Sequence, residues 1–158
     1  MTEGSFSGVD GIKIFTREWQ PAGEPHAVVV ISHGFNAHSG QYEWASQQFV
    51  SNRLAVYALD HRGRGRSEGE RFFVKKFADW TMDLATFMDM VKARGPGLPV
   101  FLFGHSACGV IACGYTLEHT RTRSRASSVR TSRTSCRRRT SHWRSSRLSA
   151  TWRRTRTS

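Results

Sequence analysis

The chain has 158 residues, enough for one domain burying roughly two-thirds of its unfolded surface, and a formal net charge of +12, from 24 Lys and Arg against 12 Asp and Glu. That charge is confined to one end: residues 1–119 hold 11 Lys and Arg with 12 acids, while residues 120–158 hold 13 Arg and no acid. Cys108, Cys113 and Cys136 have no framework spacing, the opening MTEGSFSGVDG lacks the regions of a secretory signal, and the longest apolar run, Ala27–Ile31, is too short to span a bilayer. Together these argue against a disulfide scaffold, a secreted chain and an integral membrane segment, and predict a cytoplasmic protein.

Taken in order, Gly11–Trp19 alternates well enough for an early, partly exposed strand, and the Pro21–Pro25 stretch reads as a turn. Three short apolar runs follow, Ala27–Ser32, Leu54–Asp60 and Val100–Phe103, apolar on both faces as the buried strands of a parallel sheet are. Tyr42, Ala45, Phe49 and Val50 line one face of a helix between the first two runs. Trp80, Leu84, Phe87, Met88 and Val91 do the same between the second and third, before the stop at Gly95-Pro96-Gly97. Strand and helix alternating in this way predict an α/β doubly wound fold with ligands beyond the carboxyl ends of the strands.

Each segment with chemical potential lies at such an end. Gly104-His105-Ser106-Ala107-Cys108-Gly109 follows a strand and opens a helical run, so the turn lifts the Ser106 hydroxyl above the sheet, a nucleophile's position. The SHGFNAHSGQY segment, Ser32–Tyr42, follows the first buried strand; the backbone amide of Phe35 is placed to donate to an oxyanion, with the amide of Ala107 as second donor. The third, LDHRGRGRSEG, carries Arg62, Arg64 and Arg66, but Glu68 stands where a nucleotide loop needs a third glycine, which favours a structural loop. His33, His38, His61 and His105 show no metal-ligand spacing.

In this order the three segments resemble the α/β-hydrolase fold, and within it the monoacylglycerol lipase and lysophospholipase-like serine hydrolases. HGFNAHSGQY is similar to that family's oxyanion turn, DHRGRGRSEG to its Asp-x-x-Gly-x-Gly-x-Ser-x-Gly loop and GHSACG to its nucleophile turn. The resemblance covers residues 9 to 119, the N-terminal part of such a domain. It implies Ser106 as nucleophile, the amides of Phe35 and Ala107 as oxyanion hole, a small-molecule acyl ester as substrate, and no metal or organic cofactor. Two departures stand out. Cys108 replaces the family's glycine, where its side chain is expected to crowd the strand. After Ser106 the only acid is Glu118 and the only histidines are His119 and His142, so a carboxylate-held base is absent from the expected positions and this form is expected to be inactive.

Residues 120–158 are mostly Arg, Ser and Thr without hydrophobic period, too little apolar surface to offset ordering entropy, and are expected to be disordered. Such a composition is what a GC-rich gene yields out of frame; codons shifted by one base would conceal Leu, Met or Val behind Trp143, Trp152 and Cys136. Two other readings remain: a basic tail binding RNA, DNA or other polyanions without sequence preference, with Trp143 and Trp152 as stacking platforms, and a non-catalytic interaction protein that keeps the fold.

Overall fold

The computed structural model describes residues 1–123, which run β1 (Thr2–Ser7), β2 (Lys13–Trp19), β3 (Ala27–Ser32), α1 (Glu43–Ser51), β4 (Leu54–Leu59), α2 (Phe77–Arg94), β5 (Val100–Gly104) and α3 (Ala107–Arg123). Residues 120–123 thus continue the helix that follows Ser106. The rest of the tail, with its expected disorder, out-of-frame origin and polyanion binding, lies outside the described residues, as do Cys136 and His142. No helix among the described residues is long and apolar enough to cross a membrane.

Five strands form one sheet in the order β1-β2-β4-β3-β5, with β3 parallel to both β4 and β5 and the N-terminal β1 and β2 antiparallel. Successive side chains of β3 and β4, nearly all buried, point to opposite faces of the sheet and so join two cores. Val28, Val30, Ala55, Tyr57 and Leu59 face Leu84, Phe87, Met88 and Val91 of α2 and Ile111 and Tyr115 of α3. Val29, Ile31, Val56 and Ala58 point the other way, onto Trp19 and the Tyr42, Phe49 and Val50 side chains around α1. This layering follows from strand order. The chain steps from β3 to β4 on one side and returns past β3 to β5 on the other, and right-handed crossovers in opposite directions place their helices on opposite faces. Between β3 and β5 the order reverses, so their carboxyl ends bound the crevice where ligands sit in such sheets. The expected partial α/β-hydrolase architecture with flanking helices is the observed one, but the sheet is mixed rather than mostly parallel, two of its four ladders being antiparallel.

Two elements differ from their sequence reading. β1 has no apolar alternation, only Phe6 being buried, and is held by its antiparallel ladder to β2 from Thr2↔Glu18 to Ser7↔Lys13. β5, whose apolar run suggested burial on both faces, exposes Phe101 and Phe103; its place at the edge of the described sheet is the open apolar edge expected of the strand that carries Ser106.

Buried charge ties the antiparallel and parallel parts together. Arg62, in the loop after β4, donates from Nε and Nη2 to the two oxygens of Asp83 at 2.6 and 2.9 Å, with Asp79 3.7 Å from Nη1. Asp83 Oδ1 also accepts the Val9 amide at 2.8 Å, and Arg62 Nη2 donates to the Val9 carbonyl. The same loop is closed on Asp60, whose carboxylate accepts the amides of Ser39 and Arg66 at 2.6 and 2.9 Å. A phosphate-binding role for Arg62 and Arg66 therefore loses its donors: Arg62 is spent on Asp83 and Arg66 pairs with Glu3.

Candidate functional site

The turn after β5 is built by close approach. A side chain at Gly104 would place its Cβ 2.9 Å from Ala112 Cβ and 3.0 Å from both the Cys108 carbonyl and Gly109 Cα, so only glycine lets α3 start this near the strand. Ser106 then takes φ +55°, a left-handed conformation that a non-glycine residue adopts only when its surroundings impose it. They do: the His105 amide donates to the Ser32 carbonyl at 3.1 Å, and the His105 and Ser106 carbonyls accept the Cys108 and Gly109 amides at 3.2 and 2.9 Å. The result is a serine exposed at the mouth of the β3–β5 crevice, at the start of a helix. The Cys108 side chain is buried in the cavity wall beside Ser32, and burial pushes the thiol up to about 11.

Beside this turn lies the one after β3. A Cβ on Gly34 would sit 3.1 Å from His105 Nδ1 and 3.6 Å from Ser106 Cβ, so the two turns touch. Tyr42 locks them: its hydroxyl accepts the Gly34 amide at 3.2 Å and lies 3.0 Å from His105 Nδ1, to which it is free to donate. The Gly34 carbonyl accepts the Ala37 amide at 3.0 Å and is 2.7 Å from His33 Nδ1. Because the His61 amide donates to His33 Nε2 at 2.9 Å, the neutral His33 ring carries its proton on Nδ1 and donates it to Gly34. In a trans peptide the carbonyl and the next amide are antiparallel, so fixing the Gly34 carbonyl also fixes the direction of the Phe35 amide. Arg64 completes the clamp, donating from Nε to the Phe35 carbonyl at 2.7 Å with its guanidinium 4.3 Å from the Phe35 ring centre.

Phe35 and Ala107 line one cavity of about 280 Å³ together with His33, His61, Trp80 and Cys108. The structure thus brings Ser106, Phe35 and Ala107 to one place, at the ends of neighbouring parallel strands. Glu118 and His119 do not join them. His119 is 13 residues along α3, about 20 Å at helical rise, and its Nδ1 is taken by the Tyr115 carbonyl. Tyr42, His33, His61 and Arg64 have supporting roles that the sequence did not disclose, although His33 and Tyr42 stood within the quoted oxyanion-turn motif and His61 and Arg64 within the quoted DHRGRGRSEG loop.

Both buried imidazoles titrate below their ordinary 6.5, His33 through burial above all, His61 well below through burial and then the neighbouring His33 and Arg64 charges. Each binds fewer protons folded than unfolded, so their contribution is complete above 6.5 and is lost as pH falls beneath it. We expect the melting temperature, followed by circular dichroism, to fall as the pH is lowered through about 6.5. His61→Gln should flatten it.

Comparison with known proteins gives a consistent result. A profile of the family described as serine aminopeptidase, S33, matches residues 23–129. The monoglyceride lipase of Homo sapiens is 45% identical over 103 residues, 65% of this chain and 34% of that protein. The monoacylglycerol lipase of Mycolicibacterium smegmatis is 40% identical over 114 residues, 72% of this chain and 41% of that one. Among solved structures, a thermostable carboxyl esterase from Bacillus coagulans in complex with glycerol superposes with a TM-score of 0.70 at 30% identity, covering 75% of this chain and 40% of the esterase. The match therefore spans only about a third to two-fifths of the length of these two lipases.

Proposed function

The chain belongs to the serine aminopeptidase S33 family of α/β-hydrolases, and on that premise we propose that it carries the nucleophile-bearing part of a serine hydrolase of monoacylglycerol lipase type, acting on glycerides or lysophospholipids. The observation that carries this reading is Ser106 at φ +55° in contact with the Gly34 turn. Ser106 Oγ attacks the acyl carbonyl while its proton passes to a base. The carbonyl oxygen becomes the tetrahedral oxyanion, held by the amides of Phe35 and Ala107. Collapse expels the glycerol or headgroup oxygen as an alcohol, and water then releases the acid from the acyl-serine. Among the described residues Glu118 and His119 do not supply the base and its orienting carboxylate, and we expect these 158 residues by themselves to be inactive.

The test compares two proteins on p-nitrophenyl butyrate. The 158-residue protein should hydrolyse it near the background rate; the same residues through Glu118, continued by the C-terminal part of the mycobacterial relative, should turn it over at an enzymatic rate. Normal turnover by the 158-residue protein, abolished in Ser106→Ala, would show that the chain has a base of its own. No turnover by the completed, folded chain would remove the proposal.

A further inference from the structure

The loop that leads into α2 carries an exposed surface that the catalytic reading does not use. In Arg71–Phe77, the sequence RFFVKKF, Phe72, Phe73 and Phe77 are 61%, 52% and 45% exposed, and Arg71, Lys75 and Lys76 are exposed between and beside them. Three large aromatic side chains within seven residues of a charged loop form an apolar patch that a soluble surface ordinarily avoids. None of the three cations is in an ion pair among the described residues. Of the acids nearby, Glu68 accepts the Lys13 amide and Asp79 faces Arg62, while Glu70, exposed, directly precedes the segment.

The backbone is committed to this display. Phe72 sits at φ +61°, strained for an aromatic residue, and is held there by its amide's bond to the Gly63 carbonyl and by the Arg64 guanidinium, 4.6 Å from its ring centre. Arg71 donates to the Gly65 carbonyl at 3.0 Å, fixing the loop's near end. The patch also borders the cavity: Phe77 lines it, and the Phe72 ring lies 6.4 Å from that of Phe35, which lines it too.

We propose that Arg71–Phe77 docks the protein on a bilayer containing anionic phospholipid, with Phe72, Phe73 and Phe77 entering the boundary between headgroups and acyl chains and Arg71, Lys75 and Lys76 on the phosphates. Charge complementarity selects the surface, because three unpaired cations without an acid among them match a negative leaflet, while the aromatic residues supply what a purely electrostatic partner would not need. Docked this way, the protein presents the cavity mouth to the lipid. The inference requires no turnover, so it stands or falls separately from the catalytic reading.

The test measures sedimentation of the full chain with vesicles of phosphatidylcholine and phosphatidylserine, and hydrogen exchange in their presence. Because residues 120–158 hold 13 Arg, the variants lie only in the loop. Lys75→Gln/Lys76→Gln should weaken partitioning roughly 30-fold at ~0.1 M salt, about 1 kcal/mol per cation. Phe72→Asn/Phe73→Ser should weaken it roughly tenfold or more at ~0.5 M salt, where charge is screened and apolar insertion is not. Asn tolerates the left-handed backbone at position 72, so melting temperatures should be unchanged. Vesicles should slow exchange over residues 71–77. The proposal is overturned if the full chain does not bind, if both double variants bind as the parent does, or if a single-stranded oligonucleotide protects residues 71–77 as strongly as vesicles do.

Discussion

Alanine in place of Ser106, in the chain completed with a relative's C-terminal part, should lower kcat for p-nitrophenyl butyrate by a factor on the order of 10⁶, with KM little changed. The size of the loss follows from what one atom does. On the proposed reading Ser106 Oγ is the attacking atom, and the other hydroxyl between the two turns, that of Tyr42, is taken up by the Gly34 amide and His105 Nδ1; without the nucleophile the site keeps only the modest acceleration, roughly 10³ to 10⁴ over water, that such sites retain. Fold is not the confounding variable here, because alanine at φ +55° loses no contact that holds the turn: the bonds that fix it run through the His105 amide and the His105 and Ser106 carbonyls. A variant retaining more than a hundredth of the parent rate, measured in a preparation free of contaminating esterase, would exclude Ser106 as the nucleophile.

Asp83→Ala should cost about 3 to 5 kcal/mol of folding free energy, the penalty for leaving a buried guanidinium without its carboxylate. Arg62 and Asp83 are both buried, the bond is bidentate, and Asp83 also satisfies the Val9 amide, so one substitution orphans a charge and a backbone donor together. Against a total of about 5 to 15 kcal/mol for a domain, this removes from about a fifth to all of the stability. Urea denaturation followed by circular dichroism measures it. Arg62→Met on the same background should recover part of the loss, since methionine removes the uncompensated charge and fills similar volume. Asp79→Ala, whose carboxylate is 3.7 Å from Arg62, should cost distinctly less. Equal costs for the two aspartates would mean that the charge pair is not what holds the loop to α2.

The fold was legible where one residue's neighbours along the chain are enough to state its environment. Ala27–Ser32 and Leu54–Leu59 are apolar on both faces because both faces are covered, and α2 shows its buried stripe at Leu84, Phe87, Met88 and Val91. β1 was not legible, because a strand held by ladder bonds with one buried side chain carries no apolar period. The site divides the same way. Ser106, Phe35 and Ala107 stand in local strand-to-helix and strand-to-loop turns, whose small residues and order can be read directly. The Arg62–Asp83 pair and the His33–His61 hydrogen bond join residues 21 and 28 positions apart, and no pattern within either segment records the partner. Arg64 looked like one of three equivalent loop arginines until its Nε was found on the Phe35 carbonyl.

The pairing of Val28 with Val100 has a kinetic consequence. The β1–β2 ladder closes over a few residues, whereas β5 meets β3 only after the intervening chain has laid down a helix, a strand and a second helix, and contacts so distant in sequence slow folding. The hydrogen bond from His105 to Ser32 extends that last pairing, so the left-handed turn at Ser106 is assembled late, on a framework already formed. Substitutions at the β3–β5 junction should therefore register mainly as faster unfolding, while those in the β3–β4 pair should slow refolding as well.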